Sequence, residues 1–222
     1  MYLIYLYLFV SNFLIYYIFF YEHPTTLPYK IKGDYIYQND PINKGEYSRF
    51  NYKTKECVNW ISKTICNDIL FSCKKLKPKI LVLGVALGDM IIHLSNKRID
   101  FIITGVDISD INYDIVKKYS NTTNVKLIKE SAESFIKNSN EVYDYIICDI
   151  FNSVNIPSFV FTYKFLSKIN QMILHNGKFL INIVVIEDIK EHKVKTIFEE
   201  IFTYNNINIK TNNDNLLMII NK

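Results

Sequence analysis

At 222 residues, 49% hydrophobic and 22% charged, the chain can build one full core but not two, and it is too apolar for a disordered tail. The net charge of +4 comes from 26 Lys and Arg interspersed with 22 Asp and Glu and no basic block, which argues against a nucleic-acid partner. The four cysteines, Cys57, Cys66, Cys73 and Cys148, form no Cys-x-x-Cys pair and have no histidine at metal-ligand spacing, so reduced thiols are expected and zinc is not.

Residues 1–21 carry no ionisable side chain other than tyrosine, over a length that matches the roughly 20 apolar residues of a bilayer span. They are read as a hydrophobic helix and single-pass transmembrane anchor, giving a membrane location. A cleaved signal peptide fits less well, because no basic stretch precedes the apolar run and no small-residue cleavage site follows it. A buried piece of the fold is the third reading. Lys30 and Lys32 follow the segment and no Lys or Arg precedes it, which puts the rest of the chain on the cytoplasmic side. Residues 22–54, punctuated by Pro24, Pro28, Gly33, Pro41 and Gly45, read as a linker with a small β-rich cap built on alternations such as Tyr35-Ile36-Tyr37.

Residues 55–222 read as the main domain. An amphipathic helix over about 55–75, with Val58, Ile61, Ile65, Ile69 and Leu70 on one face, leads into it and stops at Pro78. Strands are predicted near 79–84, 101–107, 124–129, 143–149, 178–185, 206–211 and 215–221. Helices fall near 88–97, 111–119, 132–138, 160–175 and 187–203. This alternation defines a Rossmann-like, doubly wound α/β fold: a seven-stranded, mostly parallel sheet whose last strand closes antiparallel through a hairpin.

Open sheets of this kind bind ligands at the carboxyl ends of their strands. The first strand runs into Gly84-Val85-Ala86-Leu87-Gly88, a turn with small residues at alternate positions ahead of a helix, suited to close backbone approach by a nucleotide. The second strand ends in Asp107, about 20 residues on, where a carboxylate can accept ribose hydroxyls; a helix N-terminal acid is its structural alternative. Ser131 after the third strand is placed to meet an adenine or to cap a helix. Asp149 ends the fourth, apolar strand and is the candidate catalytic acid, able to accept a proton from an incoming acceptor or to orient it. The histidines His23, His93, His175 and His192 and the aromatic Trp60 are assigned no role, with helix-end or solvent contacts expected for the histidines.

The series GVALGD, VDI, YDYIICDIFN, IPSFVFTYKFL and NGKFLINI resembles, in order and spacing, the spermidine synthase-like branch of the class I S-adenosylmethionine (SAM) methyltransferase fold. The likeness covers about residues 76–185 well. It implies a nucleoside donor, SAM or decarboxylated SAM, held by Gly84, Ala86, Gly88, Asp107, Ser131 and Asp149, with Asp149 as the base. Three departures stand out. Leu87 occupies the place of an acid in the family's glycine-rich turn, Ser131 that of its adenine-contacting acid, and Asn152 that of a second acid after strand four. The resemblance therefore implies a SAM-dependent transferase that moves a methyl group to an unknown acceptor. Aminopropyl transfer from decarboxylated SAM to a polyamine, or a catalytically inactive membrane-tethered binding protein, are the alternatives. A homodimer is allowed by the sequence and not specified by it.

Overall fold

A computed structural model describes residues 29–39, 46–109, 113–121, 124–152, 155–184, 191–202, 206–212 and 215–222. The expected anchor over residues 1–21 lies outside them, and among the described residues no helix is long and apolar enough to cross a membrane.

The described residues open with an antiparallel sheet, β1 (Tyr29–Lys32), β2 (Tyr35–Asn39), β3 (Glu46–Asn51) and β4 (Glu56–Cys57), paired in that order. The cap is thus larger than a hairpin and runs on to Cys57. The helix read from residue 55 starts later, as α1 (Trp60–Ser72). Lys55 takes a left-handed turn (φ 60°), Phe50 and Asn51 pair with Cys57 and Glu56, and the Asn59 side chain accepts the Ser62 N–H at 2.8 Å. That bond satisfies a free helix-end donor and sets the start of the helix.

There follow β5 (Lys79–Leu83), α2 (Asp89–Lys97), β6 (Ile102–Asp107), α3 (Tyr113–Tyr119), β7 (Val125–Lys129), α4 (Ala132–Asn138) and β8 (Tyr143–Cys148). A 3-10 turn at Ser158–Phe161 then leads to α5 (Tyr163–Met172), β9 (Ile173–Val184), α6 (Glu191–Ile201), β10 (Asn206–Asn212) and β11 (Asn215–Asn221). The sheet order is β10-β11-β9-β8-β5-β6-β7. Strands β9, β8, β5, β6 and β7 are parallel, and β11 runs antiparallel between β9 and β10.

Alternate residues of each strand feed opposite faces, as the pleat requires. Ile80 and Val82 of β5, Tyr145 and Ile147 of β8 and Leu180 of β9 pack with α1 and α2. Leu81 and Leu83, Ile146 and Cys148, and Phe179 and Ile181 pack with α4, α5 and α6. Both faces are covered, which is why these strands read as continuous apolar runs. A third cluster, Ile36, Phe50, Leu87, Ile92 and Ile115, seats the cap sheet on the β5–α2 turn.

One element departs from the expected helix over 160–175. Thr162 caps α5 by accepting the Phe165 N–H, and the chain passes directly into strand at Ile173. Asn176 (φ 64°) and Gly177 make the kink this needs. A Cβ on Gly177 would lie 2.7 Å from the Asp144 carbonyl oxygen, so a side chain there would push β9 off β8.

Candidate functional site

The parallel strands put Gly84, Asp107 and Asp149 side by side, because each follows or ends one of β5, β6 and β8 at the same edge of the sheet. Gly84 (φ 85°) turns the chain immediately beside the strand-four exit. Its N–H donates to the Val106 carbonyl at 2.9 Å, and the Asp149 N–H donates to the Leu83 carbonyl at 2.8 Å. A Cβ on Gly84 would fall 2.2 Å from the Asp149 carbonyl oxygen, so only glycine lets the two segments meet. Gly88 (φ 79°) serves as N-cap of α2, and a Cβ there would meet the Val116 side chain at 2.1 Å. Ala86 is left-handed too (φ 47°), an uncommon state for a residue with a side chain.

Asp107 explains how Ala86 is held. Its Oδ2 accepts the Val85 and Ala86 N–H groups at 2.8 and 3.1 Å, and its Oδ1 accepts the Ser109 N–H and hydroxyl at 2.9 and 3.0 Å. The carboxylate therefore acts as the keystone of the turn, with each oxygen already accepting two donors. Ser131 is a cap: its Oγ accepts the Ser134 N–H at 3.2 Å at the start of α4, the structural alternative read from the sequence.

Asp149 differs from these. Its Oδ1 accepts one hydrogen bond, from Asn182 Nδ2 on β9 at 2.8 Å. Burial pushes its carboxyl up to about 6; the Asn182 bond opposes this and the nearby charge of Asp89 adds to it. A carboxyl that ionises near neutrality is suited to take a proton. Asn152, in place of a second acid, exchanges backbone hydrogen bonds with Asn155. Leu87, in place of the turn's acid, is fully buried under the cap.

Sequence reasoning passed over Asp89 and Asn182 and gave His93 no role. Asp89 opens α2 at 4% exposure, with Ser48 of β3 donating to its Oδ1 at 3.4 Å. Burial raises its carboxyl, against easing contacts from Ser62, the Met90 amide, Ser48 and Cys57. His93 is buried and not a helix-end or solvent histidine: its Nδ1 accepts the Cys57 N–H at 3.1 Å, and burial, then Lys97, lower its pKa. His175 stands exposed on β9. All four cysteines are free and buried, with Cys57 and Cys66 sulfurs 3.7 Å apart.

This architecture is shared with solved structures. One is described as a probable spermidine synthase from Corynebacterium glutamicum, with a TM-score of 0.70 and 13% identity over 87% of this chain and 79% of that one. Another is human methyltransferase-like protein 13 in complex with SAH, at 0.61 and 15%, covering 74% and 82%. A third is Burkholderia thailandensis 1,6-didemethyltoxoflavin-N1-methyltransferase with bound 1,6-didemethyltoxoflavin and S-adenosylhomocysteine, at 0.54 and 11%, covering 72% and 76%. No family model and no curated protein sequence matches the chain. The chain therefore has the class I methyltransferase fold, closing antiparallel as the sequence predicts.

Proposed function

We propose that the protein is a SAM-dependent transferase working at the carboxyl edge of its sheet, with methyl transfer to a small acceptor as its reaction. The observation that carries this reading is the Gly84–Asp149 crossing. It sets a left-handed turn and a carboxyl of raised affinity for protons side by side where open α/β sheets take ligands. Support comes from the SAH bound to structures of the same fold.

In this reading the turn from Gly84 to Gly88 and the start of α2 hold the nucleoside of SAM or decarboxylated SAM. Asp107 keeps the turn in shape, leaving its oxygens to share any ribose contact with the turn amides. Ser131 lies at the adenine end as a cap. The acceptor's lone pair forms a bond to the carbon on the sulfonium, the carbon–sulfur bond breaks, its electron pair stays on sulfur, and Asp149 takes the acceptor's proton. Asn182 orients Asp149 for that step. Methyl transfer is preferred over aminopropyl transfer because Leu87 and Asn152 replace two acids that a diamine's ammonium ends would need. Membrane attachment through residues 1–21 is part of the proposal on the strength of the apolar run, and a cytoplasmic catalytic domain on the strength of Lys30 and Lys32 after it.

The test is turnover with methyl-labelled SAM and a panel of small nucleophiles, comparing the protein with Asp149→Ala. Label should pass to an acceptor, and the variant should lose about 100-fold or more in kcat. Equal rates in the two proteins would remove Asp149 from the chemistry.

A further inference from the structure

The outer face of the cap sheet carries a pattern that the nucleoside site does not use. Register places Lys30, Tyr37 and Arg49 in one row across β1, β2 and β3, and Lys32, Tyr35 and Asn51 in the next. Successive residues of a strand point to opposite sides. Ile36 and Phe50 alternate with these rows and are buried against Leu87 and Ile92, so both rows lie on the side away from the β5–α2 turn. Lys30, Lys32 and Tyr35 are exposed, and the Arg49 guanidinium lies over the Tyr35 ring, 5.6 Å from its centroid. Register thus gathers three cations, 19 residues apart at the extremes of the sequence, to within about 12 Å of one another along the backbone.

The acids nearby are engaged or stand off the two rows. Asp34 pairs with Lys53 at 2.7 Å and Glu56 with Lys97 at 2.6 Å. Glu46, the one acid within β1, β2 and β3, joins Asn39 beyond a bulge at the end of its strand. Edge protection explains part of the pattern, since lysines on an exposed edge strand discourage pairing with another chain and β1 is the edge of the cap. That reason does not reach Tyr35, Tyr37 and Arg49, which lie on strands paired on both sides. A merely solvated face would mix charges of both signs, and these rows hold cations alone.

Chain position says what meets this face. The apolar stretch 1–21 ends seven residues before β1, and seven residues span at most about 25 Å when fully extended. With residues 1–21 in a bilayer, β1 is held within that distance of its surface. Lysine and arginine beside tyrosine suit a lipid head-group layer: the cations meet phosphate, and the phenol ring bridges apolar and wet zones. Anionic lipid is concentrated in the cytoplasmic leaflet, the side on which Lys30 and Lys32 place the domain. We propose that the outer face of the cap sheet, through Lys30, Lys32, Tyr35, Tyr37 and Arg49, docks on the anionic head groups of the membrane that residues 1–21 enter. This rests on the membrane attachment proposed above and goes beyond it. A tether alone leaves the domain free to tumble, whereas a docked cap fixes its orientation. The inner face of the cap rests on Leu87, so docking leaves one sheet layer between the head groups and the Gly84–Gly88 turn.

The test uses the full chain, reconstituted from detergent into vesicles of phosphatidylcholine alone or of phosphatidylcholine with phosphatidylserine. All four native cysteines are buried. A polarity-sensitive fluorophore can therefore be attached through Tyr37→Cys, in the middle of the face, or through Leu76→Cys, an exposed control just before β5 at the amino edge of the sheet. Flotation reads attachment, the fluorophore reads docking, and melting curves establish folding. Docking predicts flotation with both vesicles, a blue shift of the Tyr37→Cys label on the anionic vesicles only, and no shift of the Leu76→Cys label. Lys30→Gln combined with Lys32→Gln should float as before and weaken docking by about 25-fold, roughly fivefold for each lysine, so that the shift is lost. Flotation without a shift, an equal shift on both vesicles, or a shift that the lysine variant keeps would overturn the docking face while leaving the tether standing. An equal shift on soluble RNA without vesicles would overturn the lipid assignment in favour of a nucleic acid. Flotation with a shift on anionic vesicles alone would overturn the tether and support the face, and flotation with neither vesicle would overturn both.

Discussion

Gly84 carries the tightest constraint at the site, because its missing side chain is what allows the turn after β5 to pass against Asp149. Replacing it with alanine adds a Cβ to a backbone-on-backbone contact at a left-handed φ, and neither segment can yield without parting β5 from β8. Gly84→Ala should therefore cost roughly 3 kcal/mol, the upper end for overpacking, measurable by urea unfolding. Asp149 is constrained in the opposite sense. Its carboxyl ionises at about 6 in the fold, against an ordinary 3.8. Between those values the folded state holds more protons than the unfolded one, so stability falls as pH rises through that window. Asp149→Asn should melt like the wild type near pH 4 and be stabilised relative to it at pH 8, by about 1–3 kcal/mol. Its activity should be lost at both. A variant whose stability relative to the wild type is no greater at pH 8 than at pH 4 would mean that the carboxylate is not penalised by burial. Asp107 and Asp149 were legible in the sequence as acids ending strands, since position alone selects them. Asp89 was not. Next to Gly88 it reads as an ordinary helix-start acid, and its burial depends on Ser48, 41 residues earlier and on another sheet.

At the scale of elements, the doubly wound strands were readable because each buries two faces and so shows as an apolar run. The cap sheet was not, because its strands are half exposed and paired by long-range register: β1 is exposed throughout, and β4 has two residues. Its attachment was hidden for the same reason. Leu87 looked like a lost acid in a glycine turn, yet it is the residue on which Ile36 and Phe50 of the cap rest. Leu87→Asp should then destabilise by about 4 kcal/mol or more through an unpaired buried carboxylate, and thermal unfolding read together with cap proteolysis checks this. An unaffected melting temperature would mean that the cap does not depend on the turn. The boundary of α5 was misplaced by three residues because its last turn and the first residues of β9 are equally apolar. Only Asn176 and Gly177, acting through the close approach to Asp144, mark the change of direction.

For the whole molecule, the cap sheet, α1 and the carboxyl edge of the main sheet meet around Asp89. This makes the cap part of the candidate site and not a mere linker. The fold is common to proteins of many specificities, so it selects a donor class more readily than an acceptor. The measurement that tests the central claim most directly is titration of the full chain with S-adenosylhomocysteine, followed by amide chemical shifts across Gly84 to Asp89, Asp107 and Asp149. The account predicts binding in the micromolar range, about −8 kcal/mol, with the largest shifts at those amides. Folded protein whose amides do not move at millimolar ligand, or which shifts only at positions away from the carboxyl edge, would contradict it.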